Sequence, residues 1–419
     1  MEEKILIEGG FPLFGEVEIS GSKNEAGAIL AGTLLAQGKF QIDNLPLITD
    51  IINEIEILRK MGAKIEWLGT KKISIITENV NPEKIPFDLF EKMRISVLFL
   101  GPLLAKFKKF KVPRPGGDKI GLRPILTHLE AFKELGVRIK QENDFYYFEA
   151  PKKIKKNKIV LKEFSVTATE NLMLFFAKKE GNFKIELAAS EPHVQNLGKF
   201  LEKMGAKIEG LGTHTLIIKG KENLSATDFS ISPDPIETGT FFIAFAISGG
   251  EGLIKTSGFE NLTYFLEKMK EAGVKFKLTK EGILVKKSKN FKPTKIQTLP
   301  HPGFPTDLQP QTCVLLTQAK GKSLIHETLY ENRFQHLHEL RKMGADIEIT
   351  DPHRSIILGK TKLFGTKVNS SDIRAGASLI LAGLIAKGET IVENISQIDR
   401  GYEKIDEKLK KLGAKIERV

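Results

Sequence analysis

The chain has 419 residues, enough for two or three domains that each bury a core of their own. Hydrophobic residues make up 41% and charged residues 28%, and 18 prolines are spread along the length, which excludes a collagen-like or low-complexity protein. The 64 lysines and arginines exceed the 52 aspartates and glutamates and give a net charge of +12, which is compatible with nucleic acid, a membrane surface or small anionic substrates.

The most apolar segments are too short to cross a bilayer. The longest lie at 96–105 and 377–386, well below the ~18 residues that a spanning helix needs. The segment MEEKILIEGG carries acids where a secretion signal would be basic, so we expect a cytoplasmic protein. Lysine alternates with apolar residues in 106–112 and 152–158, which favours strands with one solvated face over a nucleic-acid stripe. The single cysteine, Cys313, is expected in the core.

One pattern occurs six times along the chain. An amphipathic stretch ends in basic residues and is followed by a glycine and a strand of alternating polarity, as in LRKMGAKIE at 58–66 and LEKMGAKIE at 201–209. A glycine suits the left-handed position that often ends a helix. The six glycines are Gly62, Gly136, Gly205, Gly273, Gly344 and Gly413. Six units of about 70 residues therefore account for the whole chain.

A second, more apolar segment alternates with the first. It is about three helical turns long and leads into a short strand, and it occurs at 26–42, 94–112, 169–187, 237–255, 308–326 and 374–392. A helix that is apolar nearly all round is buried on all sides, and one unit is too small to cover it. We therefore predict an α/β protein of two globules, each with three units, whose inner helices are surrounded by sheets and outer helices. The boundary is predicted near 232–239, and a single solenoid is the alternative.

Polar residues interrupt this pattern first in the N-terminal half. SGSKN at 20–24 places Lys23 and Asn24 before a buried helix, where backbone N–H groups and a cation suit an anion, although an ordinary helix cap has the same pattern. RPGGDKIGLRP at 114–124 is a glycine-rich segment carrying Asp118. Such a loop either closes over a ligand or is a flexible surface loop.

The C-terminal half adds an aspartate and several arginines. HPGFPTDLQPQ at 301–311 holds Asp307 among prolines, which suits a general base or simply the start of a helix. Arginines stand beside acids at 331–334, 371–378 and 394–405, where surface ion pairs are also common. As a set, these cations would suit a substrate with separated phosphate and carboxylate groups. The set is Lys23, Arg123, Arg333, Arg374 and Arg400.

No signature of a metal or cofactor site is present. The eight histidines include no HExxH, and one cysteine excludes a cysteine-based zinc site. Neither GxGxxG after a strand nor GxxxxGK[ST] occurs. We therefore expect no metal and no cofactor.

The chain resembles the UDP-N-acetylglucosamine 1-carboxyvinyltransferase family in seven motifs along essentially its full length: SGSKN, MRISVLFLGPL, PGGDKIGLRP, PHPGFPTDLQ, ETLYENRF, SDIRAGASLILAG and IDRGYEKI. The resemblance implies a two-domain inside-out α/β barrel with three repeats per domain. It implies that residues 1–21 and 233–419 form one domain and 22–232 the other, with a mobile loop at 114–124. The active site would lie in the cleft between them.

This family moves the enolpyruvyl group of phosphoenolpyruvate to the 3′-hydroxyl of UDP-N-acetylglucosamine by addition and elimination of phosphate. The reaction opens peptidoglycan precursor synthesis, and so serves cell wall biogenesis, cell shape and cell division. The resemblance implies that Asp307 takes the hydroxyl proton, while Arg333 and Arg374 hold the carboxylate. The phosphate would be held by Lys23, Arg123 and Arg400. The other implied substrate contacts are Asn24, Arg94, Pro124, Ile125, Leu126, Thr127, Leu329 and Asp372.

The chain departs from the family pattern at several positions. Asp118 stands where many members carry a cysteine, the target of the epoxide inhibitor fosfomycin. We expect insensitivity to fosfomycin, with Asp118 as the acid that protonates the methylene carbon of phosphoenolpyruvate. The segment EAGAIL at 25–30 replaces the usual AALPIL, His193 replaces a frequent acid, and Gln397 stands where histidine is common.

The sequence is also compatible with two other functions. One is the related transferase acting on shikimate 3-phosphate, although its PGDKS-type opening is absent here. The other is a basic RNA-binding protein built on the same repeats. We favour enolpyruvyl transfer, which implies two small-molecule substrates, UDP-N-acetylglucosamine and phosphoenolpyruvate. We expect neither nucleic acid nor a membrane as a partner. The sequence leaves the oligomeric state undetermined.

Overall fold

The computed structural model describes residues 3–118, 120–122 and 124–419. Its helices are α1 (Lys23–Gly32), α2 (Thr49–Met61), α3 (Phe87–Lys92), α4 (Leu100–Lys106), α5 (Leu126–Glu134), α6 (Val166–Ala177), α7 (Pro192–Lys203), α8 (Pro235–Ser248), α9 (Thr263–Glu271), α10 (Gln309–Thr317), α11 (Gln335–Lys342), α12 (Ile373–Ile385), α13 (Ser396–Asp399) and α14 (Ile405–Lys411). Short 3₁₀ helices lie at Thr33–Leu35, Pro82–Lys84, Ile95–Phe99, Phe259–Leu262 and Thr306–Leu308.

The strands are short. They are β1 (Ile5–Glu8), β2 (Phe14–Glu18), β3 (Lys39–Asp43), β4 (Lys64–Gly69), β5 (Lys72–Ile76), β6 (Lys109–Pro113), β7 (Arg138–Glu142), β8 (Phe145–Glu149), β9 (Lys158–Val160), β10 (Gly181–Glu186), β11 (Lys207–Glu209), β12 (Thr215–Gly220), β13 (Asp228–Ser230), β14 (Glu251–Lys255), β15 (Lys275–Leu278), β16 (Gly282–Lys286), β17 (Lys295–Gln297), β18 (Gly321–His326), β19 (Asp346–Asp351), β20 (Arg354–Gly359), β21 (Lys367–Asn369), β22 (Glu389–Glu393) and β23 (Lys415–Arg418).

The described residues form two compact units. One contains residues 3–20, 118, 120–122 and 233–419, and the other contains 21–117 and 124–232. The first unit has the sheets β21-β22-β1-β23, β15-β16-β14-β2 and β17-β18-β20-β19. The second has β13-β3-β5-β4, β6-β8-β7 and β11-β12-β10-β9. Each unit has a hydrophobic core of its own. The predicted two-domain α/β class is confirmed, and each unit contains three sheets.

The inner helices are the apolar segments that the sequence predicted to be buried. In the first unit, α8, α10 and α12 pack against one another. In the second unit, α4 packs on α6, and the 3₁₀ helix Ile95–Phe99 packs on both α1 and α6. Polar residues on these helices are buried together with apolar ones, as in Gln311 on α10 and Asn171 on α6. The helices therefore form the centre of each unit, and the sheets lie outside them.

The outer helices end as the glycine pattern predicted. All six repeat glycines have a positive φ, from 87° at Gly273 to 113° at Gly205, a conformation that glycine adopts without steric cost. Each glycine leads into the strand that follows its helix: β4, β7, β11, β15, β19 or β23. The repeat of helix, glycine and strand is thus present six times.

The N-terminal segment belongs to the first unit because its two strands complete sheets built from the C-terminal half. β1 pairs antiparallel with both β22 and β23, with Ile5 opposite Val392 and Arg418. β2 pairs parallel with β14, with Val17 opposite Ile254.

The basic runs form strands only in part. In the run 106–112, β6 begins at Lys109, after α4 ends at Lys106. The prediction for 152–158 is wrong, because only Lys158, at its end, enters a strand. Residues before it form an irregular segment in which Lys155 N–H donates to the Leu135 carbonyl. In a search of the described residues, no helix has the length and apolar character needed to span a membrane.

Candidate active site

Asp307 lies between two arginines of the first unit. It belongs to the 3₁₀ helix Thr306–Leu308, immediately before α10. Arg333 donates from Nη2 to Asp307 Oδ1 at 2.9 Å, and Arg374 donates from Nε to Oδ2 at 3.0 Å. The Asp307 side chain is 30% exposed, whereas the two arginine side chains are 2% and 6% exposed. One carboxylate therefore reaches solvent while both of its guanidinium partners stay buried.

Both arginines keep their charge although they are buried. Burial lowers the pKa of Arg333, but the charges of Asp307 and Asp372 outweigh this effect and raise the pKa above its ordinary value. Burial also lowers the pKa of Arg374, while Tyr402 and Asp307 raise it by more. Within the described residues, Arg333 Nε and Arg374 Nη1 have no hydrogen-bond acceptor. Charged donors of this kind favour binding of an anion.

Arg374 is oriented by its own helix and by Tyr402. Asp372 caps α12, because its Oδ1 accepts the backbone N–H groups of Arg374 and of the next residue at 2.9 and 3.0 Å. The guanidinium lies 5.2 Å from the centre of the Tyr402 ring. The Tyr402 hydroxyl contacts Thr240 Oγ1 at 2.9 Å and Gln311 Nε2 at 3.0 Å. Asp372, expected near the reacting centre, thus caps the helix that carries Arg374.

Arg400 pairs with Asp118, which is distant in sequence. Arg400 Nη1 lies 2.5 Å from Asp118 Oδ1, and both side chains are 14% exposed. The same nitrogen donates to Gln397 Oε1 at 2.9 Å. Lys119 and Arg123, the basic neighbours of Asp118 in the sequence, lie outside the described residues. The structure places Arg400 beside Asp118.

Glu331, to which the sequence reasoning gave no role, holds the segment that follows Asp118. Leu122 N–H donates to Glu331 Oε1 at 2.8 Å, and Asn332 N–H donates to the Ile120 carbonyl at 3.2 Å. Hydrogen bonds from its own N–H and from that of Leu122 lower the pKa of Glu331. A Cβ on Gly121 would lie 2.6 Å from Glu331 Oε2, so a larger residue there would displace the end of the Glu331 side chain. The expected glycine-rich loop is therefore held at its tip by a carboxylate.

Lys23 opens α1 in the second unit. Ser22 caps this helix by accepting from Glu25 N–H at 3.4 Å, and the Lys23 ammonium lies 2.7 Å from Asp50 Oδ2. The Lys23 and Asp50 side chains are 12% and 2% exposed. Asn24 is exposed. The sequence reasoning missed Asp50, although its place in the first turn of α2, beside apolar residues, was a usable signal.

Glu25 and His193, two of the departures from the family pattern, contact polar residues that are distant in the sequence. Glu25 Oε2 accepts from Asn196 Nδ2 at 2.8 Å, and Oε1 accepts from Ser232 N–H at 3.0 Å. Burial raises the pKa of Glu25, although these hydrogen bonds lower it. His193 Nε2 lies 3.8 Å from Glu170 Oε1. These contacts tie α7 to α1 and α6, beside the start of α1.

The remaining predicted contacts are distributed over both units. In the second unit, Arg94 Nη2 donates to the Pro124 carbonyl at 3.1 Å. Ile125 is buried and Leu126 exposed. Thr127 Oγ1 donates to Glu163 Oε1 at 2.5 Å. In the first unit, Leu329 is 38% exposed, and its N–H donates to a carboxylate oxygen of Glu327 at 3.0 Å. The structure thus groups Asp118, Asp307, Leu329, Arg333, Asp372, Arg374 and Arg400 in the first unit. It groups Lys23, Asn24, Arg94, Pro124, Ile125, Leu126 and Thr127 in the second.

The single cysteine, Cys313, packs in the hydrophobic core of the first unit. Cys313 is fully buried, as predicted, and burial raises the pKa of its thiol well above the usual value. In the part of the chain that the structure describes, no group of three or more His, Cys, Asp or Glu side chains could hold a metal ion.

Known proteins resemble this chain along its whole length. Residues 7–409 match the EPSP synthase (3-phosphoshikimate 1-carboxyvinyltransferase) family. The UDP-N-acetylglucosamine 1-carboxyvinyltransferase of Thermodesulfovibrio yellowstonii is 42% identical, and the match covers 100% of both chains. That of Koribacter versatilis is 43% identical, covering 100% of this chain and 96% of its own. The chain belongs to the UDP-N-acetylglucosamine 1-carboxyvinyltransferase family.

Solved structures support the fold of this family member. The enolpyruvyl transferase NikO from Streptomyces tendae has a TM-score of 0.90 at 24% identity, covering 100% of this chain and 99% of its own. An EPSP synthase from Acinetobacter baumannii has a TM-score of 0.77 at 17% identity, covering both chains completely. The two-unit α/β architecture is therefore the enolpyruvyl transferase fold.

Proposed function

We propose that the protein transfers the enolpyruvyl group of phosphoenolpyruvate to the 3′-hydroxyl of UDP-N-acetylglucosamine and releases phosphate. The observation that carries this proposal is the identity of 42–43% over the full chain to relatives named for this transfer. The product would be the first committed precursor of peptidoglycan. Because both substrates are charged, phosphorylated metabolites, the proposal places the enzyme in the cytoplasm.

The buried arginines would bind the carboxylate of phosphoenolpyruvate. Arg333 and Arg374 each keep one N–H donor without an acceptor among the described residues. Guanidinium donors fit carboxylate oxygens in a planar, charge-assisted arrangement. Lys23 and Arg400 would hold the phosphate, together with Arg123, which lies outside the described residues. Lys23 and Arg400 both pair with aspartates, so phosphate would replace or share these partners.

Asp307 would take the proton of the sugar hydroxyl. Its carboxylate reaches solvent, and two guanidinium groups fix its orientation, as a general base requires. Addition of the hydroxyl oxygen to phosphoenolpyruvate, with protonation of the methylene carbon, gives an intermediate that keeps the phosphate. Loss of phosphate and of one proton then restores the double bond. Fixed cations would stabilise the intermediate's negative charges without rearranging.

The nucleotide sugar would contact the second unit. Arg94 and the exposed segment at Pro124 and Leu126 lie together at the start of α5, and Asn24 is exposed beside Lys23. Leu329 and Asp372 of the first unit complete the proposed set of contacts.

Phosphate release tests the proposed reaction. We expect release from phosphoenolpyruvate that depends on UDP-N-acetylglucosamine, with no release when shikimate 3-phosphate replaces it. Release with shikimate 3-phosphate alone would point to the related transferase. If neither acceptor supports turnover while calorimetry detects tight binding of an RNA oligomer, the non-enzymatic alternative replaces this proposal.

We predict resistance to fosfomycin because Asp118 stands where many family members carry the target cysteine. A carboxylate is a much weaker nucleophile toward an epoxide than a thiolate, so mass spectrometry after incubation with fosfomycin and UDP-N-acetylglucosamine should show unmodified protein. The matched variant Asp118→Cys should gain one covalent adduct. An adduct on the native protein would contradict the prediction.

The acid role of Asp118 needs a separate variant. In the proposed mechanism, phosphate takes the place of Asp118 beside Arg400. Asp118 then takes up a proton from solvent and passes it to the methylene carbon. Asp118→Asn keeps the shape without a carboxylic proton, and we expect a loss of turnover on the order of 10²–10⁴-fold. Full activity in this variant would show that Asp118 is not the catalytic acid.

A further inference from the structure

A second acidic side chain, Glu54, lies near the Lys23–Asp50 pair. The mechanism proposed above does not use it. Glu54 is one turn after Asp50 on α2, and its side chain is 0% exposed. Neither carboxyl oxygen has a hydrogen-bond partner among the described residues. A buried carboxylate without donors is strongly unfavourable, whereas the protonated acid has a much smaller desolvation cost.

The groups around Glu54 come from four elements. Asp50 shares its helix, Lys23 approaches from α1, and Glu170 approaches from α6. The fourth element is the 3₁₀ helix Ile95–Phe99, which contributes an apolar side chain. A Cβ on Gly27 would lie 2.9 Å from Glu54 Oε2 and 2.0 Å from Ile95 Cδ1. The glycine therefore lets the carboxyl group pack directly against α1.

Burial and charge favour the same protonation state. Burial raises the pKa of Glu54 well above its usual value, and the negative charge of Asp50 raises it further. The ammonium of Lys23 opposes this, and Glu170 adds to the increase. Burial also raises the pKa of Glu170. Lys23 thus pairs with Asp50, and the nearby Glu54 side chain favours its neutral, protonated form.

We propose that Glu54 is a positioning residue that stays uncharged while the enzyme works, so that the Lys23 ammonium keeps its attraction for the phosphate of phosphoenolpyruvate. Ionisation of Glu54 at alkaline pH then weakens this binding. The inference rests on the proposed function, because it takes Lys23 as a phosphate ligand. Loss of the proton would place a second negative charge close to the ammonium. This would raise the KM for phosphoenolpyruvate with a smaller effect on kcat.

Steady-state kinetics measured across pH tests whether ionisation of Glu54 weakens the binding of phosphoenolpyruvate. At pH 7, Glu54→Gln should keep kcat and KM within about twofold, because glutamine is a neutral group of the same shape. At alkaline pH, the KM of the native enzyme for phosphoenolpyruvate should rise on the order of tenfold, and that of Glu54→Gln should rise less. The control Glu56→Gln, on the exposed side of the same helix, should behave like the native enzyme. Equal profiles for native and Glu54→Gln overturn the proposal.

Unfolding across pH tests the protonation state without relying on activity. An acid whose pKa is raised on folding keeps its proton when the unfolded chain loses it, so stability falls as pH rises above the unfolded pKa. Urea unfolding should therefore show a steeper loss of stability with pH for the native protein than for Glu54→Gln. Equal slopes overturn the proposal. Glu54→Met provides a second neutral variant, and failure of both to fold would also overturn it. A flatter slope combined with full activity of a Lys23 variant would refute only the proposed function of Lys23.

Discussion

Replacing Asp307 by asparagine is expected to remove activity and destabilise the first unit at the same time. The variant loses the proposed base, which costs on the order of 10²–10⁴-fold in turnover. It also leaves the two buried guanidinium groups of Arg333 and Arg374 without their shared counter-charge. Breaking a buried ion pair costs about 3–5 kcal/mol, and we expect about 3 kcal/mol here because Asp307 is 30% exposed.

Two measurements check this expectation. Phosphate release gives turnover, and urea unfolding gives the free energy of unfolding. The control is Asp351→Asn, because Asp351 pairs with Arg354 at 3.7 Å where both side chains are well exposed. This variant should keep its activity and lose less than about 1 kcal/mol. Near-native turnover in Asp307→Asn would remove Asp307 from the proposed mechanism, whatever its stability.

Replacing Lys23 by alanine is expected to reduce kcat/KM for phosphoenolpyruvate on the order of 30- to 1000-fold. The estimate corresponds to about 2–4 kcal/mol of transition-state stabilisation from one charged contact in a desolvated site. The change also removes the ammonium at 2.7 Å from Asp50, whose side chain is 2% exposed. Stability should therefore fall along with activity.

Lys23→Arg separates charge from geometry. Arginine keeps the positive charge but brings a larger, planar group to the start of α1, so partial activity is expected. Lys60→Ala is the control, because Lys60 is exposed near the end of α2, and it should match the native enzyme in both activity and urea unfolding. A Lys23→Ala enzyme with the native kcat/KM would contradict the role of Lys23.

The repeat architecture could be predicted because its signals are local. The glycines after the outer helices indicate a backbone conformation with positive φ, which is determined locally. All six glycines adopt it. The composition of the apolar inner segments, such as 237–255, similarly predicts that they are buried. Local chemistry also singled out Asp307 among prolines and the arginines beside acids. Each of these signals lies within one turn or one helix.

Local periodicity failed where long-range contacts decide the structure. Alternating lysines predicted a strand at 152–158, yet most of this run has no strand partner to pair with. A strand needs a neighbouring backbone to satisfy its N–H and C=O groups, and a sequence pattern does not supply one.

The sequence by itself determined six helix–glycine–strand repeats, the buried helices and a set of candidate charged residues. Only the tertiary structure decided which charges meet: Arg400 with Asp118, Asp307 with both Arg333 and Arg374, and Lys23 with Asp50. The physical reason is one of range. Helix ends and apolar faces are set by residues a few positions apart, whereas an ion pair depends on where two distant segments are brought by the packing of the whole unit.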